Sequence, residues 1–214
     1  MESPFYDADY YLNGPATSKS NYENYSWKPD LTLPMADHLK RVLHIKDGGT
    51  VLDFGCARGY LVKALRMRGV NAFGCDSSEW AIENCDEAVK GYVSRDIPID
   101  QFDHIICKDV LEHIHPAELF PLLCDLVVLM RKSLLVIVPL TASVDEPYLR
   151  PEDNTDPSHV IRWPLHVWLQ QIDRLVMGGP CDGIIVTGSW HYPGLKPASS
   201  EVPKSCGFIQ FTRV

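Results

Sequence analysis

The sequence Val51-Leu52-Asp53-Phe54-Gly55-Cys56-Ala57-Arg58-Gly59-Tyr60 combines a strand pattern, a glycine turn and a helix start. Its apolar residues predict a strand over 50–54, and the apolar spacing beyond the turn predicts a helix over 59–68. Glycine tolerates positive φ and has no Cβ, so backbone N–H groups at the helix start can approach a ligand closely. This unit therefore predicts a binding site for a nucleotide or a carboxylate.

The glycine spacing narrows the choice of ligand. Gly55-x-x-x-Gly59 differs from the Gly-x-Gly-x-x-Gly pattern that brings backbone against a pyrophosphate, so a dinucleotide is disfavoured. A second predicted strand over 71–75 is followed by Asp76, at the position where an acid accepts hydrogen bonds from both ribose hydroxyls. Together these features favour a ligand that contains adenosine.

Three segments carry a resemblance to a known family. The segments 51–59, Gly74-Cys75-Asp76 and 102–113 resemble, in order and spacing, the motifs of the class I S-adenosylmethionine-dependent methyltransferases. The resemblance spans roughly residues 35 to 214 and implies S-adenosylmethionine as the methyl donor. It also implies a Rossmann-like, doubly wound α/β fold with a seven-stranded, mostly parallel sheet and an antiparallel C-terminal β-hairpin. Ala57 departs from the pattern, because many relatives have glycine there.

The resemblance also implies which residues contact the cofactor. Asp76 matches the ribose acid, and Asp96 and Ile97 match the residues that bind the adenine amino group and ring. The full predicted set comprises Asp53, Gly55, Cys56, Ala57, Gly59, Asp76, Ser77, Asp96, Ile97, Lys108 and, from the N-terminal segment, Tyr25.

The first residues are rich in tyrosine, asparagine and serine and show no periodicity. We expect residues 1–32 to form an aromatic-rich extension and residues 33–214 to form the methyltransferase domain. The extension could simply pack its aromatic residues on the domain surface. Alternatively it could be a lid in which Tyr22, Tyr25 or Trp27 contacts the cofactor, because aromatic faces suit a positively charged sulfonium.

Alternating helical and strand patterns continue along the chain. Their order predicts a parallel sheet that ends in a β-pair. The predicted helices cover 33–45, 119–130 and 164–177, and the remaining predicted strands cover 91–94, 102–108, 133–138, 184–188 and 208–212.

The segment 153–160 contains the predicted catalytic residues. His159 could take a proton from a hydroxyl acceptor, and Asp156 could orient its ring. Many sugar and small-molecule methyltransferases of this fold are similar in having Asp-Pro-x-His after the fifth strand. A purely structural role for His159 stays open, as does a metal role together with Asp109, Glu112 and His113, although we expect no metal.

The charge and composition of the chain limit the kinds of molecule that it could bind. The net charge of −8 disfavours a nucleic-acid substrate, because holding phosphates needs clustered Lys and Arg. No apolar run is long enough to span a membrane, no signal peptide is recognisable, and most of the seven cysteines fall in apolar patterns. These features predict a cytoplasmic enzyme without a membrane partner.

The acceptor is the least defined feature. The leader and Asp-Pro-x-His together resemble enzymes of glycan modification, which favours O-methylation of a sugar, a glycan or another small molecule. Contacts with the acceptor are expected from residues 141–162 and from Trp190 to Leu195. An N- or carboxyl-methyltransferase and a non-catalytic S-adenosylmethionine-binding protein remain alternatives, and the oligomeric state stays open.

Overall fold

A computed structural model describes residues 5–176, 183–189, 195–196, 202 and 204–214 of the chain. The chain divides into two compact units. The first unit comprises residues 1–99 together with the short segment 155–157, and the second comprises residues 100–154 and 158–214.

The first unit contains three strands and the whole predicted glycine motif. Strand β1 pairs in parallel with β2, and β2 pairs in parallel with β3. The first two strands have the predicted bounds, whereas the helix predicted over 33–45 begins earlier, at Pro29, because proline is well suited to the first turn of a helix. The elements are α1 (Ala8–Leu12), α2 (Gly14–Thr17), α3 (Pro29–Val42), β1 (Thr50–Phe54), α4 (Tyr60–Arg66), β2 (Asn71–Cys75), α5 (Glu79–Glu83) and β3 (Val93–Ser94).

The second unit contains four strands. Strand β4 pairs in parallel with β5, β5 pairs antiparallel with β7, and β7 pairs antiparallel with β6. Strand β5 is buried over Ser133–Pro139, as its unbroken apolar run indicates. The elements are β4 (Phe102–Lys108), α6 (Pro116–Leu129), β5 (Met130–Pro139), α7 (Leu165–Val176), β6 (Ile184–Ser189) and β7 (Cys206–Arg213).

The seven strands have the order β3-β2-β1-β4-β5-β7-β6. The parallel strands and the antiparallel C-terminal hairpin confirm the predicted fold class. Within the described part of the chain, no helix has the length and apolar character needed to cross a bilayer. Cys75 and Cys107 are buried, as their apolar patterns predict, whereas Cys124, in a similar pattern, is half-buried; Cys56 and Cys206 are buried as well.

Candidate active site

The glycine loop after β1 requires left-handed backbone at three positions. Gly55, Ala57 and Gly59 have φ values of 78°, 49° and 75°. Left-handed backbone costs a residue with a Cβ roughly 1–2 kcal/mol, so position 57 favours the glycine that many relatives carry. The N–H groups of Gly55 and Cys56 both donate to the carbonyl oxygen of Cys75, at 2.8 and 3.0 Å, which fixes the loop to the end of β2.

Asp76 connects the same loop to the start of α5. Its Oδ2 accepts the N–H of Ala57 at 2.7 Å, and its Oδ1 accepts the N–H of Ser78 at 2.8 Å. Burial raises the pKa of the Asp76 carboxyl, and the two N–H bonds counteract that rise. An ionised carboxylate has about four acceptor positions, so each oxygen retains one for a ribose hydroxyl. Asp76 could therefore accept hydrogen bonds from both hydroxyls of a ribose.

Other predicted cofactor residues of this unit differ in exposure. Asp53 is buried on β1, whereas Ser77, Asp96 and Ile97 have exposed side chains. Burial raises the pKa of the Cys56 thiol well above its ordinary value, and the charges of Asp53 and nearby Asp76 raise it further. A thiol of this kind stays protonated, so Cys56 fills the loop and does not act as a nucleophile.

Aromatic residues of the N-terminal segment pack directly on this loop. We use the name aromatic cluster for Tyr10, Tyr11, Tyr22, Tyr25 and Trp80. Ala57 of the glycine loop packs against it, and the rings of Tyr11 and Trp80 stack at 5.4 Å. Two polar contacts reinforce the packing: Arg58 donates to the carbonyl oxygen of Tyr25 at 3.0 Å, and Ser78 donates to that of Tyr6 at 2.5 Å.

The aromatic cluster also holds Asp156. The Tyr10 hydroxyl donates to Asp156 Oδ2 at 2.7 Å, and both side chains are buried. Burial raises the pKa of Tyr10 strongly and the Asp156 charge adds to the rise, so the hydroxyl keeps its proton. The sequence predicts that Asp156 orients His159; in the structure its carboxylate accepts this hydrogen bond from a tyrosine 146 residues away in sequence. No local pattern indicates that pairing.

His159 has a defined ring orientation in the second unit. Its Nδ1 lies 2.7 Å from the carbonyl oxygen of Asp153, and its ring meets that of Tyr148 edge to face at 5.3 Å. A carbonyl oxygen only accepts hydrogen bonds, so Nδ1 must carry the proton. In the neutral ring the lone pair is then on Nε2. That atom can take a proton or bind a cation.

Glu112 and His113 lie beside His159. One donor atom from each of the three side chains lies within 4.8 Å of the other two. The carbonyl oxygen of Glu112 accepts the N–H groups of Val160 and Ile161 at 2.8 and 3.0 Å, which fixes the backbone of the two segments against each other. The sequence indicates this grouping through the spacing of Asp109, Glu112 and His113, with the distant His159 as a further candidate.

Asp109 is held by two lysines. Its Oδ2 lies 2.5 Å from Lys108 Nζ, and its Oδ1 lies 2.5 Å from Lys196 Nζ. Burial raises the pKa of Asp109, but the charges of the two lysines outweigh it and hold the value below the ordinary 3.8. Lys108, predicted to contact the cofactor, thus pairs with Asp109. Lys196 has no recognisable motif, and Trp190 to Gly194 of the predicted acceptor insert lie outside the described residues.

Comparisons with known proteins identify the family of this chain. The methyltransferase domain family matches residues 28–134. No curated protein matches the sequence at a significant level.

Solved structures share the fold at low sequence identity. A chain from the complex of the Haloferax volcanii methyltransferase activator Trm112 with a methyltransferase has 17% identity and a TM-score of 0.60, covering 86% of this chain and 91% of its own. An S-adenosylmethionine-dependent methyltransferase from Archaeoglobus fulgidus has 17% identity and a TM-score of 0.57, with coverages of 83% and 92%. Magnesium protoporphyrin IX methyltransferase from Synechocystis PCC 6803, solved with bound S-adenosylmethionine, has 15% identity and a TM-score of 0.54, with coverages of 85% and 79%.

The fold and the family match define a class I methyltransferase. The chain belongs to the methyltransferase domain family. S-adenosylmethionine, the donor that this family uses, is its methyl donor, as the sequence predicts.

Proposed function

We propose that this methyltransferase is an O-methyltransferase that modifies a hydroxyl of a sugar, a glycan or another small molecule. The observation that carries the proposal is the hydrogen bond from His159 Nδ1 to the carbonyl oxygen of Asp153. It directs the lone pair of the ring to Nε2, where an imidazole can act on a hydroxyl proton. An amine or a carboxylate that is already deprotonated needs no such group.

Bound S-adenosylmethionine supplies an activated methyl group on a sulfonium for an in-line displacement. The protein has to bind and align the partners and exclude water. We assign ribose binding to Asp76 and cradling of the cofactor to the loop from Gly55 to Gly59. Asp53, Cys56, Ser77, Asp96, Ile97 and Lys108 keep their predicted roles as cofactor contacts within this proposal.

We further propose that residues 1–32 act as a lid. The contacts of the aromatic cluster with Ala57 support it, as does the hydrogen bond from Arg58 to the carbonyl oxygen of Tyr25. Aromatic faces stabilise a nearby cation, so Tyr25 is the proposed partner of the sulfonium. The bond from Tyr10 to Asp156 ties the lid to the short segment that precedes His159 in sequence.

The sugar or glycan class rests on the resemblance of the tyrosine-rich leader and Asp156-Pro157-Ser158-His159 to enzymes of glycan modification. Acceptors vary widely on this fold, since one of the similar structures is named for a magnesium porphyrin. The cytoplasm is the proposed location, where reducing conditions keep thiols such as Cys56 and Cys75 free.

The test is formation of S-adenosylhomocysteine with a panel of free sugars, nucleotide sugars and oligosaccharides, set against amine and carboxylate acceptors. We expect turnover on a hydroxyl substrate, and a loss of about 100- to 10,000-fold in kcat for His159→Ala with little change in cofactor affinity. The exposed His166→Ala is the matched control. Turnover on amines or carboxylates alone, or an unaffected His159→Ala enzyme, would refute the assignment.

A further inference from the structure

Glu112 has a buried carboxyl group. Its side chain is 1% exposed, and among the described residues its Oε2 has no hydrogen-bond partner. Leaving a buried polar group without a partner costs free energy, and an unpaired buried carboxylate is especially costly. Such a group indicates a partner that the protein alone does not supply.

Two imidazoles lie beside this carboxylate. The donor atoms of Glu112, His113 and His159 all lie within 4.8 Å of one another, and the rings of the two histidines meet edge to face with centroids 4.6 Å apart. Ligands at about 2.0–2.2 Å from a zinc ion lie roughly 3.3–3.5 Å from each other. Closing the three donors around an ion therefore requires side-chain movements of little more than about 1 Å.

The outer contacts of the two histidines match those of metal ligands. His159 Nδ1 donates to the carbonyl oxygen of Asp153 at 2.7 Å, and His113 Nδ1 lies 2.8 Å from the Ser158 hydroxyl. A histidine that binds a metal usually has its other ring nitrogen held by a backbone carbonyl, a carboxylate or a similar group. Both rings are thus held through Nδ1, and in the ion-bound form Nε2 of each would be the ligand atom.

We propose that Glu112, His113 and His159 bind a divalent transition-metal ion. Two imidazoles and one carboxylate suit Zn²⁺, Co²⁺, Mn²⁺ or Fe²⁺, and three protein ligands leave a coordination position for an oxygen from outside the protein. Asp109, which the spacing alone would include, is not part of this group of donor atoms, and its two oxygens pair with Lys108 and Lys196. This assignment differs from the expectation of no metal drawn from the sequence.

The ion would also change how the acceptor is activated, a consequence that rests on the proposed function. A hydroxyl bound to the ion loses its proton to water more readily, because the positive charge stabilises the alkoxide oxygen. The oxygen then forms a bond to the methyl carbon as the carbon–sulfur bond breaks. His159 would hold the ion in that form of the enzyme and would not itself take the proton.

The test uses the full chain, stripped with EDTA and titrated with Zn²⁺ and, separately, with Co²⁺. We expect one equivalent of Zn²⁺ per chain and visible Co²⁺ absorption bands. Glu112→Gln, His113→Ala and His159→Ala should each weaken Zn²⁺ binding by more than about 100-fold, given that loss of an outer contact alone costs 10- to 100-fold. Ser158→Ala, an outer contact, should weaken it by about 10-fold or more.

Two exposed residues provide the matched controls, His166→Ala and Glu146→Gln, and both should bind Zn²⁺ as the wild type does. The absence of stoichiometric Zn²⁺ and Co²⁺ binding to the wild type would overturn the proposal. Equal affinity in the three ligand variants would also overturn it. If a ligand variant fails to fold, the wild-type Co²⁺ spectrum and the Ser158→Ala titration still decide the question.

Assays of methyl transfer with and without metal test the metal site separately from the proposed O-methylation. Loss of hydroxyl methylation in EDTA and its return with added metal would support the metal site and O-methylation, with the ion in place of His159 as the group that activates the hydroxyl. Full activity in a metal-free enzyme that binds no Zn²⁺ would overturn the metal site and leave the O-methyltransferase standing. Tight Zn²⁺ binding without turnover on any hydroxyl would support the site and contradict the proposed function.

Discussion

Replacing Tyr10 with phenylalanine removes one hydroxyl from the buried bond to Asp156. Phenylalanine keeps the ring and therefore the edge-on packing against neighbouring aromatic residues such as Tyr6, whose ring centroid lies 5.0 Å away. The lost bond is 2.7 Å long, is buried and ends on a carboxylate. Hydrogen bonds to charged groups are worth about 1.5–3 kcal/mol, so the free energy of unfolding should fall by that amount.

For a chain of this length, about 1 kcal/mol lowers the unfolding midpoint by roughly 2–4 °C. Tyr10→Phe should therefore lower the midpoint by about 3–12 °C in thermal unfolding followed by circular dichroism. The control is Tyr92→Phe, which removes a hydroxyl from an exposed tyrosine and should leave the midpoint unchanged. A Tyr10→Phe midpoint within about 1 °C of this control would refute the assigned strength of the Tyr10–Asp156 bond.

Two further substitutions test packing and charge. A Cβ on Gly74 would lie 2.7 Å from Cys56 Sγ. Gly74→Ala should therefore lower the free energy of unfolding by about 1–3 kcal/mol in urea titrations. An unchanged urea midpoint would contradict the close packing of Cys56 against Gly74. Burial raises the pKa of Asp109, but the charges of Lys108 and Lys196 outweigh it and hold the pKa below 3.8. The ion pair therefore stabilises the fold fully above pH 3.8. This contribution to stability is lost as the pH falls through the lowered pKa. Lys196→Met should thus lower the free energy of unfolding by about 1.5–3 kcal/mol at pH 7 and by less at acid pH. Lys132→Met, which removes an exposed lysine from its pair with Asp103, should lower it by under about 1 kcal/mol. Equal losses for the two variants would contradict the stabilising role of the Asp109–Lys196 pair.

The sequence predicts the strands well because local patterns define them. Strands β1, β2 and β4 have the predicted bounds, since each is an apolar run that ends at a glycine, an aspartate or a lysine. The third strand is shorter than predicted: 91–94 was expected and β3 covers Val93–Ser94. Pairing with the sheet, which no local pattern encodes, fixes that length.

The predicted site residues form two groups: those whose position follows from a local pattern, and those whose contacts depend on residues far along the chain. Asp76 follows directly from its position after β2, and its contact with the glycine loop agrees with that position. By contrast, Tyr10, which bonds to Asp156, and Lys196, one of the two lysines that pair with Asp109, lie far along the chain from these residues. Spacing gives no information about such contacts, because they depend on how the folded segments pack. The tautomer of His159 likewise depends on a backbone carbonyl, which sequence does not specify.

We propose that the carboxylate of Asp76 holds the ribose of S-adenosylmethionine. The most direct test is a calorimetric titration of the full chain with S-adenosylhomocysteine, using wild type, Asp76→Ala and the exposed control Asp100→Ala. We expect the wild type and the control to bind with the same affinity. Asp76→Ala should bind about 10- to 150-fold more weakly, because it loses hydrogen bonds to a charged group worth about 1.5–3 kcal/mol. Unchanged affinity in Asp76→Ala, or no binding by the wild type, would contradict the account.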